Sequence, residues 1–191
     1  MERNEMKKIL ATVSSLTLIA AVCAAVLAFV NSATKDRIAE AKTRAELEAA
    51  SAVMPAGVAK VERIPAKGGG EGGPALSLFA GYGADGRPAG YAAAGRDGGG
   101  YGGDIELMVG FEKDAKTVVC YRKLAAAETP GLGMNLVQPE FAGQFKGRDA
   151  RVLKVKKDGG DIEAISAATI TSRAVCRAIA DAQRSLAAAL D

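Results

Sequence analysis

The sequence predicts an α+β protein in which a transmembrane helix and a helical stalk precede an antiparallel sheet and a long C-terminal helix. Three features predict this fold class. Residues 9–30 carry no charge, residues 75–124 contain short strand-like runs separated by turn residues, and residues 171–189 have apolar side chains at helical spacing. Strands followed by a helix, without regular alternation of the two, are typical of an α+β domain.

The uncharged run from Ile9 to Val30 predicts the membrane anchor. At a rise of about 1.5 Å per residue it reaches about 33 Å, enough to cross the hydrocarbon core of a bilayer. Basic residues within residues 1–8 favour a cytoplasmic N-terminus, although basic residues also follow the run. A cleaved signal peptide is the alternative. The length of the run and the lack of an A-x-A site at its end favour a retained anchor.

Residues 31–55 predict a polar helical stalk that continues from the anchor and stops at Pro55. The segment is rich in Ala, Glu, Lys and Arg, and Thr34 is a candidate N-cap. Its apolar positions are sparse, which predicts a thin contact stripe or a docking surface for a neighbouring protein of the same complex. Residues 56–74 predict a Gly-rich linker, because glycine density this high favours neither helix nor strand.

The globular domain is predicted to extend over residues 75–191. Two antiparallel pairs are expected from alternating or β-branched runs flanking short turns. A short helix is expected after Pro139, and two further short strands are expected around the turn Asp158-Gly159-Gly160. The predicted strands are 75–82, 87–95, 104–111, 117–124, 151–156 and 162–165, and the predicted helices are 139–145 and 171–189.

Composition excludes several classes of function. Net charge is +3 and no basic cluster contains interleaved aromatic residues, so the sequence predicts no nucleic-acid partner. The chain has no histidine, which excludes imidazole metal ligands and His-based acid–base catalysis. Its three cysteines, Cys23, Cys120 and Cys176, include no C-x-x-C pair, so neither a zinc site nor an iron–sulfur cluster is expected. A redox role would therefore require an organic cofactor.

The pairing of Cys120 with Cys176 is left open by the sequence. A disulfide between them depends on a distance that the sequence does not give. Two buried thiols that pack as small hydrophobic groups are the favoured alternative.

The segment from Asp161 to Val175, DIEAISAATITSRAV, is the most informative for chemistry. It predicts a run of small residues that leads into a helix, with hydroxyls at Ser166, Thr169, Thr171 and Ser172. The N-terminus of a helix presents unpaired N–H groups and binds phosphate well. An ordinary N-cap explains the same residue types, so the physical pattern alone leaves both interpretations open.

The run ISAATITSRAV resembles the flavinylation motif of FMN-binding domains in Rnf complexes and in Na⁺-pumping NADH:quinone oxidoreductases. The resemblance implies that a flavin transferase attaches FMN through its phosphate to Thr169. It also implies that Ser166 lines the flavin site and that Thr171 and Ser172 lie near the phosphate. The chain departs from the motif at two positions. Ala167 stands where the family has Gly, and Glu163 stands where it usually has Asp. Alanine fits position 167 without strain only where φ stays negative.

A second segment, Glu128-Thr-Pro-Gly-Leu-Gly133, resembles the E-T-P-G-L-G loop of Rnf G subunits. Pro130-Gly131 predicts a turn, and an ordinary surface loop is the favoured interpretation of this turn by itself. The resemblance implies that four residues of this loop line the flavin site: Glu128, Thr129, Gly131 and Leu132. A third candidate, Tyr101-Gly102-Gly103, would let backbone approach a flavin or simply lead into the next strand.

The resemblance implies an electron-transfer component of an ion-translocating ferredoxin:NAD⁺ oxidoreductase, with no catalysis of its own and no metal site. Its expected partners are the other Rnf membrane subunits, a flavin transferase and membrane lipid, and the FMN domain is expected on the periplasmic or outer face. Two alternatives remain. One is the C-type component of a Na⁺-translocating NADH:quinone oxidoreductase, and the other is a membrane-anchored scaffold without flavin.

Overall fold

The computed structural model describes residues 2–65 and 77–190. The chain divides into two compact units, residues 1–44 and residues 45–191. In the first unit the described residues form one continuous helix, the N-terminal part of α1 (Glu2–Val53). Within the described part of the chain, α1 is the one helix long and apolar enough to cross a membrane.

The segments predicted as anchor and stalk are thus parts of a single helix. Thr34 is not an N-cap, because it lies inside α1 and its hydroxyl donates a 2.8 Å hydrogen bond to the carbonyl of Val30. The helix ends at Val53, two residues before Pro55, as predicted from the restriction that proline places on the preceding backbone.

The second unit contains a five-stranded antiparallel meander in which every strand pairs with its neighbours in sequence. The order confirms the predicted antiparallel sheet. Its strands are β1 (Lys60–Ile64), β2 (Leu78–Tyr82), β3 (Pro88–Asp97), β4 (Ile105–Glu112) and β5 (Val118–Ala126).

Strand β1 corrects the prediction of an unstructured linker over residues 56–74, because Lys60–Ile64 pairs along its whole length with β2. The glycine-dense stretch 67–74, predicted as a flexible loop, lies outside the described residues.

Helix α3 (Thr169–Leu190) covers one face of the sheet and buries Val175, Ile179 and Leu186 against it. These are the three apolar positions whose spacing predicts the helix. The helix approaches β3 closely, since a Cβ added at Gly95 would lie 2.1 Å from the carbonyl oxygen of Ala178. The core on this face also receives Phe141 of the short helix α2 (Pro139–Ala142).

The last turns of α1 cover the opposite face of the sheet. Ala50 and Val53 are fully buried there against Phe79 and Met108. Gly110 permits the contact, because a Cβ at this position would lie 1.8 Å from the carbonyl oxygen of Val53. The C-terminal part of the predicted stalk is therefore a structural layer of the domain.

The two cysteines of the domain lie on opposite faces of the sheet. Cys176 belongs to the core beneath α3, whereas the Cys120 thiol points to the carbonyl of Val53, 3.8 Å away. Both thiols are free. Burial raises the pKa of Cys120 and raises the pKa of Cys176 to about 12. The structure thus favours the buried-thiol interpretation over a disulfide.

The segment between α2 and α3 differs from the two predicted strands. It contains short 3₁₀ turns at Ala150–Val152 and Lys156–Asp158, together with one isolated parallel bridge between Val155 and Ile162. Residues 151–156 alternate between apolar and polar side chains, which predicts a strand. The segment is irregular instead, and single apolar residues such as Val155 pack into the core.

Candidate functional site

A cavity of about 500 Å³ opens at the N-terminus of α3. Three chain segments form it: the loop between β3 and β4, the loop after β5, and the first turn of α3. Its lining residues are Tyr101, Glu128, Thr129, Leu132, Gly133, Ala167, Ala168, Thr169, Ile170 and Thr171. The segments singled out in the sequence therefore meet at one place, although they are well separated along the chain.

The carboxylate of Glu128 joins the three segments. It is buried, accepts a 2.7 Å hydrogen bond from the Thr171 hydroxyl, and accepts a 3.2 Å hydrogen bond from the backbone N–H of Gly102. Gly133 leaves room for this arrangement, since a Cβ there would lie 2.4 Å from the nearer carboxylate oxygen. A buried carboxylate is stable only with such partners, so Glu128 fixes how the loops meet.

The turn after Glu128 forms as its sequence predicts. Pro130 and Gly131 occupy its central positions, Gly131 has a φ of +74°, and the Leu132 N–H donates to the Thr129 carbonyl at 3.2 Å. This is the pattern of a type II turn. The turn directs Thr129 and Leu132 to the cavity, whereas Gly131 is exposed and shapes the loop without lining the cavity.

The segment before α3 contains a second tight turn, closed by a 3.0 Å hydrogen bond from the Ala168 N–H to the Ile165 carbonyl. Ala167 adopts a φ of +58°, in the left-handed region that favours glycine. The backbone of Ala167 is therefore strained, because an alanine fits this position without strain only when φ is negative. The turn also explains physically why a glycine would suit it.

The hydroxyl residues of the segment fall into different environments. Thr169 is half-buried, begins α3 and lines the cavity. Ser166 is exposed in the turn and is not among the lining residues. Ser172 is fully buried; its hydroxyl donates to the Ala168 carbonyl at 2.9 Å and accepts from the Ile165 N–H at 3.0 Å. Ser172 therefore braces the turn, and Thr171 braces Glu128.

Glu163, the other departure from the motif, is held by hydrogen bonds to its backbone and by an ion pair of its side chain. Its backbone N–H donates to the Gln144 side chain at 2.7 Å, and its carbonyl accepts from the same amide at 3.2 Å. Its carboxylate pairs with Lys156. These contacts fix the backbone three residues before Ser166. The segment 163–172, which contains Thr169, is therefore held in place at Glu163 and again at Ser172.

The loop that presents Tyr101 is fixed by ion pairs at its start. The Arg177 guanidinium donates two 2.8 Å hydrogen bonds to the Asp97 carboxylate, and Arg96 pairs with Asp104. Partial burial opposes ionisation of Asp97, but the bonds from Arg177 and from the Gly99 N–H outweigh it and lower its pKa. Tyr101 itself is 73% exposed, at the mouth of the cavity.

Two lining residues, Gly133 and Ile170, and one neighbouring cation, Lys157, are not predicted from the sequence. Ile170 lies beside the expected attachment residue and carries no polar signal of its own. Gly133 ends the E-T-P-G-L-G loop, so the resemblance could have identified it as a lining residue. Lys157 places its ammonium 3.4 Å from the Thr169 hydroxyl oxygen, a contact that no motif in the sequence indicates.

Comparison with known protein families gives first the class of this protein, which is FMN-binding. Residues 100–184 match the FMN-binding domain family, and residues 1–53 match the RnfG N-terminal region. The fold is also similar to the crystal structure of the C-type component of the Na(+)-translocating NADH-quinone reductase from Parabacteroides distasonis, with a TM-score of 0.52 and 22% identity over 70% of this chain and 78% of that chain.

Relatives identify the family more narrowly. The chain is 30% identical over 176 residues to the G subunit of the ion-translocating oxidoreductase complex of Methanosarcina acetivorans, covering 92% of this chain and 93% of the relative. It is 44% identical over 86 residues to the G subunit of the proton-translocating ferredoxin:NAD(+) oxidoreductase complex of Clostridium ljungdahlii, covering 44% of this chain and 46% of that relative. The chain belongs to the family of G subunits of ion-translocating oxidoreductase complexes, which confirms the resemblance to Rnf G subunits.

Proposed function

We propose that this chain is the electron-relaying G subunit of a membrane-bound, ion-translocating ferredoxin:NAD⁺ oxidoreductase complex, and that it holds FMN through a phosphoester at Thr169. The observation that carries the proposal is the placement of Thr169. Its hydroxyl lies at the first residue of a 22-residue helix and borders a cavity of about 500 Å³. A helix N-terminus stabilises a phosphate, and the cavity has a volume typical of cofactor sites.

The chemistry of the lining residues fits FMN. Leu132, Ile170 and the Tyr101 ring offer apolar surface to a flat aromatic group. The Thr129 hydroxyl and the backbone of the glycine-containing loops offer hydrogen bonds to the polar edge of such a group. Bound there, the flavin would supply the redox chemistry, while the protein supplies position and electrostatics.

Attachment requires an activated donor, because joining a hydroxyl to a free phosphate would require loss of water. A flavin dinucleotide satisfies this requirement. The Thr169 oxygen–phosphorus bond forms, the pyrophosphate bond of the donor breaks, a nucleoside monophosphate leaves, and the hydroxyl proton passes to solvent. A separate flavin transferase is the proposed catalyst, which is consistent with the exposure of the turn at Ser166.

The anchor confines the flavin near the other membrane subunits, which are the proposed electron donors and acceptors. Helix α1 carries apolar exposed side chains over the uncharged run, and lipid is the proposed partner of this surface. The proposed orientation places residues 1–8 in the cytoplasm and the flavin domain on the periplasmic or outer face.

The proposal is tested by producing the full chain together with a flavin transferase and measuring flavin fluorescence after denaturing electrophoresis. Thr169→Ala should abolish the fluorescence, because the ester oxygen is lost. The matched control Ser166→Ala, three residues earlier in the same segment, should retain it. Equal fluorescence of the Thr169→Ala variant and the wild type would overturn the assignment of the attachment residue.

A further inference from the structure

The turn Lys156–Asp158 directs three consecutive side chains towards the attachment segment and α3. Lys156 pairs with Glu163, Asp158 accepts two hydrogen bonds of 2.7 and 2.6 Å from Arg173, and Lys157 donates to Thr169 at 3.4 Å. The contacts of Lys156 and Asp158 are ion pairs. The contact of Lys157 instead joins a charged group to a neutral one.

The backbone holds this turn firmly. The Lys156 N–H donates to the Ile162 carbonyl at 2.8 Å, and the Gly160 N–H donates to the Val155 carbonyl at 3.1 Å. Gly159 closes the turn with a φ of +79°. The position of the Lys157 ammonium near Thr169 therefore follows from an ordered turn as well as from its own flexible side chain.

In the part of the chain that the structure describes, Lys157 also lacks a neutralising partner. Among residues 2–65 and 77–190 of the structure, its side chain forms no ion pair, whereas Lys156 and Arg173 each contact a carboxylate. An ammonium beside a neutral hydroxyl makes a weak hydrogen bond, and this one is long. A phosphodiester on the same oxygen would place a negative charge next to it and convert the contact into an ion pair.

We infer that Lys157 is the cationic partner of the flavin phosphate at Thr169, both for the approaching anionic donor and for the ester after it forms. The inference rests on the proposed attachment of FMN to Thr169. Lys157 binds the phosphate in this scheme: it neither gives nor takes a proton, and the bonds formed and broken are those of the transfer described above.

The first test measures the initial rate of flavin attachment to the full-length protein in detergent, with purified transferase and flavin dinucleotide as donor. Lys157→Ala should slow attachment by about two- to five-fold, as expected for loss of one exposed ion pair. Lys157→Glu should slow it further, and Lys157→Arg should restore it. The matched control Lys154→Ala removes the same charge from the same segment without a contact to Thr169, and it should leave the rate unchanged.

Salt separates an electrostatic role from a structural one. The difference between wild type and Lys157→Ala should shrink when the salt concentration rises from about 0.05 M to about 1 M, because exposed charges are then screened. A difference that persists unchanged at high salt would contradict the inference.

A second readout uses stability instead of attachment. Loading with flavin should raise the urea midpoint of the wild type more than that of Lys157→Ala, because only the wild type gains the ion pair. Equal gains in both proteins, together with equal attachment rates, would overturn the role of Lys157. A wild type that accepts no flavin at all would instead overturn the proposed function, and this inference with it.

Discussion

Ala167 offers a direct test of how the turn before α3 is built. It adopts a φ of +58°, and an L-residue in the left-handed region costs about 1–2 kcal/mol relative to the right-handed one. Glycine removes this cost. The unfolded chain of the Ala167→Gly variant is more flexible, however, and this offsets about 0.4–1 kcal/mol of the gain. Ala167 is exposed, so little packing is lost with its methyl group. We therefore expect Ala167→Gly to increase the free energy of unfolding by about 0.5–1 kcal/mol.

Urea unfolding of the full-length protein, followed by far-ultraviolet circular dichroism, measures this change. Ala115→Gly is a matched variant, because Ala115 has a φ of +56° in the turn between β4 and β5, but it is 9% exposed and loses more packing. Ala180→Gly, in the middle of α3, should instead destabilise the protein by about 1 kcal/mol. If Ala167→Gly destabilised the protein as much as Ala180→Gly, the strain argument would be refuted.

Two further predictions concern the groups that hold the site together. Glu128→Ala should lower the free energy of unfolding by about 2–3 kcal/mol, because it leaves the Thr171 hydroxyl buried without its acceptor. Glu128→Gln should lower it less, because an amide oxygen can still accept the hydrogen bond from Gly102. Equal losses in the two variants would contradict the role of Glu128 in joining the loops. Asp97→Asn should cost about 0.5–1 kcal/mol at pH 7. Because the folded-state pKa of Asp97 is lowered, its contribution to the free energy of unfolding is present above about pH 4 and is lost as the pH falls through the folded-state value. The free energies of unfolding of wild type and variant should therefore become equal in acid. A constant difference down to about pH 2 would refute the role of the ion pair with Arg177.

Much of the fold follows from patterns that depend on local spacing. The four strands predicted between residues 75 and 124 correspond to β2 to β5, because each has alternating or β-branched residues and is bounded by turn residues. Helix α3 was predictable for the same reason, since Val175, Ile179 and Leu186 fall on one face. Its start at Thr169, two residues before the predicted one, completes the turn closed by Ala168.

Other elements depend on contacts that local spacing does not encode. Strand β1 is short and mostly exposed, and it lies at the edge of the sheet, where it pairs with β2. The last turns of α1 have a polar composition, yet they bury Ala50 and Val53 because Gly110 lets the helix approach the sheet. The irregular segment around Val155 resembles a strand in sequence, but its backbone pairs with Ile162 at a single bridge.

The candidate site shows the same division. The residues of the E-T-P-G-L-G loop and the segment ending at Thr169 were identified by resemblance, and the structure brings Glu128, Thr129, Leu132, Thr169 and Thr171 to one cavity. The resemblance identifies these residues but does not give the separate role of each one. The bracing role of Ser172 and the approach of Lys157 to Thr169 depend on the tertiary arrangement of two turns.

Peptide mapping of the natively produced, full-length protein tests the central claim most directly. Trypsin should release residues 158–173 as one peptide, which contains four hydroxyl residues: Ser166, Thr169, Thr171 and Ser172. This peptide should carry the mass of one FMN less one water, and fragmentation should place the added mass on Thr169. An unmodified peptide, or a flavin located on another hydroxyl, would contradict this claim.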